Sequence, residues 1–105
     1  MSTFDDREKG FEAKFKHDQE FQFKATARRN RLLGLWTAEK LGLSGGEAEA
    51  YAKQVVESDF DEPGDEDVFR KVAGDLEGKG VSDKEIRREM ERLLPVAAQQ
   101  VANEG

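Results

Sequence analysis

Apolar residues recur along most of this chain with the spacing of one helical face, and the strict alternation typical of β-strands is almost absent. Four stretches show this helical spacing. The first predicted helix runs from about Asp18 to Leu41, directly before Gly42, a suitable residue at which a helix can end. Its apolar positions are Phe21, Ala25, Leu32, Leu33, Leu35, Trp36 and Leu41.

The second predicted helix runs from Gly45 to about Ser58. Ser44 and Glu47 have the spacing of a capping box, in which the serine hydroxyl accepts a backbone N–H and the glutamate reaches back. Residues 59–64 (DFDEPG) then predict a turn, because proline cannot continue the helix and glycine relaxes the backbone. The apolar positions of this helix are Ala48, Tyr51, Ala52, Val55 and Val56.

Asp65 is the predicted N-cap of a third helix, which Gly78 and Gly80 end. One face of this helix is apolar. Its positions are Val68, Phe69, Val72, Ala73 and Leu76.

The fourth predicted helix runs from Asp83 to about Asn103 and begins at a second capping box, Ser82 and Glu85. Pro95 lies inside it, which predicts a kink; a stop near Leu94 with a restart is the alternative. The inward positions are Ile86, Met90, Leu93, Leu94, Ala97 and Val101.

Four amphipathic helices with short connections predict an all-α fold, a small four-helix bundle over residues 19–105, preceded by a mobile amino-terminal arm over residues 1–18. The predicted core of this body consists of Leu32, Leu33, Trp36, Tyr51, Val55, Val68, Phe69 and Ile86.

The arm differs in kind from the rest of the chain. Residues 1–24 contain no Leu, Val or Ile but five of the seven phenylalanines, among them Phe4, Phe11 and Phe15, which share one face of a helix. Burying three phenylalanines contributes roughly 5–9 kcal/mol, whereas fixing the backbone of a dozen residues costs roughly 12–24 kcal/mol. We therefore predict an arm that is mobile alone and becomes helical against another protein. The alternative is that these rings pack on the protein's own core, above all Phe21 and Phe23.

Composition narrows the class of function. The 105 residues carry a net charge of −6, which argues against nucleic acid as the main partner, and contain no cysteine, which excludes disulfides. The basic cluster Arg28, Arg29 and Arg31 is interpreted as a solvated helix face whose stems cover apolar surface. No apolar run approaches the length of a membrane span and no secretory signal is apparent, so we expect a soluble intracellular protein.

Residues for catalysis or metal binding are not apparent in the sequence. His17 is the single histidine and has no cysteine or carboxylate pair at ligand spacing, so we interpret it as an exposed side chain, with pH sensing as the alternative. The acidic residues between 59 and 67 lack the spacing of a calcium-binding loop and are interpreted as turn and cap residues. We expect no catalytic residue, cofactor or metal, and infer a binding protein.

Two strings in the sequence are specific: FDDREKGFE over residues 4–12 and ARRNRLLGLW over residues 27–36. Shorter strings follow at residues 51–53 and 63–65. Through these residues the chain resembles the zeta subunit of alphaproteobacterial F-type ATP synthases, a family of small inhibitors.

The resemblance implies a non-catalytic regulator with a four-helix body. In such a protein the arm enters an interface between catalytic subunits near the rotor stalk and blocks rotation in the ATP-hydrolysing direction. The implied partners are the alpha, beta and gamma subunits of the catalytic head, and the implied location is cytoplasmic, peripheral to the inner membrane. We expect a free monomer that does not insert into the membrane. The residues expected to bind the partner are Phe4, Asp5, Arg7, Glu8, Lys9, Phe11, Glu12, Lys14 and Phe15.

Two other hypotheses stay open at this stage. One is a helical adaptor whose arm docks on a different assembly without affecting ATP hydrolysis. The other is a small nucleotide- or metabolite-binding bundle, with its pocket on the interhelical surface near Tyr51 and Arg28.

Overall fold

A computed structural model of the chain describes residues 19–59 and 65–104, and it includes residues 3–18 only within the bounds of the first helix. Over these ranges the fold has four α-helices and no strand, which confirms the all-α prediction. The predicted division into an arm and a body lies at residue 18, outside the described side chains, and stays a prediction. The helices are α1 (Thr3–Lys40), α2 (Gly46–Glu57), α3 (Glu66–Asp75) and α4 (Asp83–Glu104).

Helix α1 is the element against which the others assemble. It packs along both α2 and α4, and α3 closes the bundle by contacting all three. The predicted core is confirmed, except that Leu32 and Trp36 lie at its edge and are only partly buried. The buried apolar cluster consists of Leu33, Ala38, Tyr51, Val55, Val68, Phe69, Val72, Leu76, Ile86, Met90 and Leu93.

The helix ends follow the sequence signals in two places. After α1, the N–H of Leu43 donates to the carbonyl of Ala38 at 2.9 Å and the N–H of Gly42 to that of Glu39 at 3.1 Å. This is a Schellman arrangement, and it requires the positive φ of 79° that Gly42 adopts. At the start of α4 the N–H of Glu85 donates to the Ser82 hydroxyl oxygen at 3.1 Å, as the second capping box predicts.

The capping box predicted at Ser44 and Glu47 is wrong. The N-cap of α2 is Gly45, with a φ of 57°, and no side chain caps this end of the helix. The glycine places the turn one residue later than the serine signal indicates, so the Ser44 hydroxyl does not cap the helix. Asp65 does occupy the N-cap position of α3, but its carboxylate also makes no capping hydrogen bond; it pairs with an arginine of α1 instead.

Helix α4 continues through Pro95, so the alternative of a stop near Leu94 does not occur. Its buried stripe contains the predicted inward positions with one correction, because the Leu94 side chain is 43% exposed. Leu93 holds the inward position, and Leu94, about 100° further round the helix, falls at the edge of the stripe. Helix α3 ends at Asp75, before the two glycines predicted to end it.

Candidate functional site

The nine residues predicted to bind a partner all lie between Phe4 and Phe15, outside the side chains that the structure describes, as does His17. Their roles stay predictions. The structure does describe the place where the arm joins the body, which is the first part of α1 after residue 18 and the last turns of α4.

One pocket at this junction lies between α1 and α4 and has a volume of about 360 Å³. Its lining is uncharged, and Phe21, which is half-buried, forms part of it. The sequence left open whether Phe21 and Phe23 pack on the protein's own core. The structure separates the two residues: Phe21 packs at the edge of the body, whereas Phe23 is 78% exposed and does not belong to the core. The pocket is lined by Phe21, Gln22, Ala25, Thr26, Leu94 and Ala98.

A second pocket, of about 330 Å³, lies where α1 meets α2 and the end of α4, with Phe23 at its rim. The basic residues beside it are already paired. Arg28 donates to the amide oxygen of Gln100 at 3.0 Å and forms an ion pair with Glu104 at 2.5 Å. Arg31 pairs with Glu49 of α2 at 2.7 Å. These contacts tie α1 to both of its neighbours.

The interpretation of Arg29 as part of a solvated face is wrong, because its side chain is only 2% exposed. Its guanidinium donates to Asp65 at 2.7 and 3.4 Å, and its Nε donates to the side-chain oxygen of Asn30 at 2.8 Å. Asn30, fully buried, donates in turn to Asp59 at 3.1 Å. Two adjacent residues of α1 therefore hold both ends of the connection between α2 and α3, and we call these four residues the α1 clamp.

The sequence did contain a signal for the burial of Arg29. This residue lies four positions after Ala25 and four before Leu33, on the apolar stripe of α1. A charged residue in phase with a buried stripe is buried only if it is paired, and the pairing partner is 36 residues away in the sequence. The sequence therefore indicates that Arg29 lies on the buried stripe, but it does not indicate that Asp65 is its partner.

Tyr51 belongs to the buried core. Its hydroxyl donates to the Asp75 carboxylate at 2.7 Å, and Lys71 bonds the same oxygen at 2.8 Å. Burial, and then the hydrogen bond to Asp75, raise the pKa of the Tyr51 phenol. At Asp75, burial alone would raise the pKa of the carboxyl. Hydrogen bonds from Lys71 and Tyr51 outweigh burial and hold this pKa below its usual value. Neither of the two pockets above contains both Tyr51 and Arg28, so they give no support to the nucleotide-pocket hypothesis.

The described acidic residues of the 59–67 stretch bind protein side chains. Besides Asp59 and Asp65 in the α1 clamp, Glu66 pairs with Arg87 at 3.2 Å and Asp67 with Arg70 at 3.1 Å. Within residues 19–59 and 65–104, no group of three histidine, cysteine or acidic side chains is arranged to hold a metal ion. None of the described helices combines the length and the apolar character that crossing a membrane requires.

Comparison with known proteins adds a family to this geometry. A family model described as ATPase inhibitor subunit zeta matches residues 1–100. A protein whose solution NMR structure has been solved is 57% identical to this chain, with a TM-score of 0.74 over 80% of this chain and 98% of that one. No curated protein matches.

Proposed function

Because the chain belongs to the ATPase inhibitor subunit zeta family, we propose that it inhibits ATP hydrolysis by an F-type ATP synthase through its amino-terminal arm. The observation that carries the proposal is the extent of the family match, which includes residues 1–18 as well as the helical body. A regulator of this kind acts by binding, in agreement with a sequence that offers no catalytic constellation.

In the proposed mechanism the arm enters an interface between catalytic subunits, close to the rotor. Phe4, Phe11 and Phe15 act as apolar anchors in the cleft. The charged residues between them set the register of the arm through complementary contacts, because charge pairs at an interface discriminate against displaced positions. These charged residues are Asp5, Arg7, Glu8, Lys9, Glu12 and Lys14.

Folding on binding suits an inhibitor that acts in one direction. The arm is stabilised only where a catalytic interface closes around it, so it favours the conformation in which that interface is closed. Rotation in the hydrolysing direction would tighten the interface on the arm, and rotation in the synthesising direction would open it and expel the arm. The partners are then the alpha, beta and gamma subunits, and a monomeric protein is held at the cytoplasmic side of the inner membrane through the synthase.

In this proposal the helical body holds the arm through α1. Helix α1 carries both the arm sequence and the face that packs on α2 and α4. The α1 clamp fixes the same helix to the connection before α3.

Replacing Phe11 and Phe15 together with alanine tests the proposal. We expect the concentration needed for half-inhibition of ATP hydrolysis to rise at least about a hundredfold, because two buried phenylalanines contribute roughly 3–6 kcal/mol. The helix content and melting temperature of the protein should stay unchanged.

The matched control is Phe23→Ala, which removes an equally large ring that is 78% exposed on the body. If the double variant unfolds the body, the two rings belong to its core and the assignment of the arm is wrong. If it inhibits as well as the unmodified chain, the anchors lie elsewhere.

A further inference from the structure

Helix α3 is packed less extensively than the other helices of the body. It has 10 residues, whereas α2 has 12 and α4 has 22. Helix α1 packs along α2 and α4 over long stretches, but α3 meets each of its three neighbours over a short one. The interfaces of α1 with α2 and with α4 are therefore formed without residues of α3.

The sequence of α3 does not favour a helix in isolation. Its 10 residues are fewer than an isolated helix needs in water. Val68, Val72 and Gly74 have low helix propensity, and the Asp65 side chain at the N-cap accepts no hydrogen bond from the first turn. Helix α3 is therefore stable only while its apolar face is packed, so we expect it to undock and unwind in one step.

Two arginines from different helices hold the start of α3. Arg29 of α1 pairs with Asp65 at 2.7 Å, and Arg87 of α4 pairs with Glu66 at 3.2 Å. The Arg87 guanidinium also lies 3.8 Å from the centroid of the Phe69 ring, within the range of a cation–π contact. Both carboxylates are half-exposed, so water can solvate them as soon as α3 moves away.

Helix α2 holds the other end of α3. The Tyr51 hydroxyl donates to the Asp75 carboxylate at 2.7 Å, and the Lys71 amine donates to the amide oxygen of Gln54 at 3.3 Å. The same amine lies 5.2 Å from the centroid of the Tyr51 ring. Helices α1, α4 and α2 therefore each bind a different carboxylate at one end of α3.

We propose that α3 opens as a unit of its own, undocking and unwinding while α1, α2 and α4 stay packed, and that the carboxylates at its two ends hold it closed. Its apolar side chains offset only part of the conformational entropy that its 10 residues lose, so these polar contacts determine how often it opens. Opening exposes Val55 of α2 and Ile86 and Met90 of α4, which share the buried cluster with α3. The body thus has a second state that presents an apolar groove.

Hydrogen exchange of backbone amides, followed by NMR on the full chain without a partner, measures this opening. An amide exchanges through the least costly opening that breaks its hydrogen bond, so amides in α1 and α3 report on different openings. We expect the amides of Val72 and Leu76 to share a common protection. This protection should be at least about tenfold lower than that of Leu33 and Thr37, which are fully buried in α1.

Two substitutions weaken the body outside α3. Gly34→Ala forces α1 away from Ala52 of α2, and Ala97→Gly removes a fully buried methyl group of α4 that lies outside the cluster shared with α3. Each should speed exchange of the α1 amides at least about fivefold, because it destabilises the whole body. Neither should change exchange in α3, because the defect is present whether α3 is closed or open.

Tyr51→Phe tests the contact at the end of α3. It removes the hydroxyl that donates to Asp75 and keeps the ring in the core. The amides of α3 should exchange about tenfold faster, because a hydrogen bond to a charged group is lost when the helix is closed. The amides of α1 should exchange faster by the same factor, because unfolding of the whole body also breaks this bond.

If Gly34→Ala and Ala97→Gly speed exchange in α3 as much as in α1, α3 opens only together with the body and the inference is wrong. Equal protection of α2 and α3 would show that these two helices leave as a pair, which also contradicts it. Unchanged exchange of α3 in Tyr51→Phe would show that Asp75 does not hold the helix closed. Thermal melting by circular dichroism verifies that each variant is folded, and none of these outcomes bears on inhibition.

Discussion

Arg29 is the residue on which the arrangement of the body depends most clearly. A guanidinium that is 2% exposed is costly to bury unless its donors are satisfied, and here Asp65 and Asn30 accept from them. Asp65 lies in the N-cap position of α3, but its carboxylate accepts no N–H group of that helix. It pairs with Arg29 of α1 instead of capping α3. The orientation of α3 relative to α1 is thereby fixed by side chains.

Replacing Asp65 with asparagine tests the clamp at this scale. We expect the free energy of unfolding to fall by about 1–3 kcal/mol, because a buried charged donor loses its counter-charge. Urea denaturation followed by circular dichroism measures the change.

The control is Glu49→Gln, which breaks an ion pair of the same 2.7 Å length between two half-exposed side chains. This change should cost less than about 1 kcal/mol. Equal effects of the two substitutions would show that the Arg29 pair contributes no more than a surface ion pair.

At the scale of elements, the contact between α1 and α2 depends on the absence of a side chain at one position. A Cβ atom at Gly34 would lie 2.6 Å from the Cα of Ala52, a separation that the two backbones cannot accept without moving apart. The glycine costs some helix propensity within α1 but allows a close crossing, and Ala52 beside it is 1% exposed.

Gly34→Ala should therefore destabilise the protein by about 1–3 kcal/mol, the range expected for overpacking. Gly74→Ala is the paired measurement, since it makes the same substitution in a helix where nothing lies within 4 Å of the added Cβ. It should leave stability unchanged or raise it by up to about 1 kcal/mol. Thermal melting of both variants measures these changes in stability. A Gly34→Ala variant more stable than the unmodified protein would contradict the close approach of α1 and α2 at this glycine.

Periodicity in the sequence predicts the four helices because each helix buries one stripe, and that stripe is visible in the sequence at every turn. The sequence also identifies Gly42 and Ser82 through their residue types, because the roles of these residues are set by their immediate neighbours. It does not predict that Ser44 leaves α2 uncapped, because that depends on the conformation of Gly45. Nor does it predict the partner of Arg29 or the uncharged pocket, because both are formed by residues brought together from distant parts of the chain.

At the scale of the whole molecule, α1 has two tasks. Every other helix contacts it, so it organises the core, and its bounds extend from Lys40 to Thr3, through the sequence assigned to the arm. In this member of the family, the helical body is thus assembled on the same helix that carries the proposed inhibitory residues. The arm phenylalanines are predicted as partner anchors from composition and spacing alone, since they lie in a segment, residues 1–24, that contains no Leu, Val or Ile.

The measurement that tests the central claim most directly is ATP hydrolysis by the isolated catalytic head of the F-type ATP synthase from the organism that encodes this chain. The full-length protein is compared with a version that lacks residues 2–18, and melting of the shortened chain verifies that its body is folded. We predict inhibition by the full-length protein and none by the shortened one. Inhibition by neither, or equal inhibition by both, would contradict an inhibitory arm.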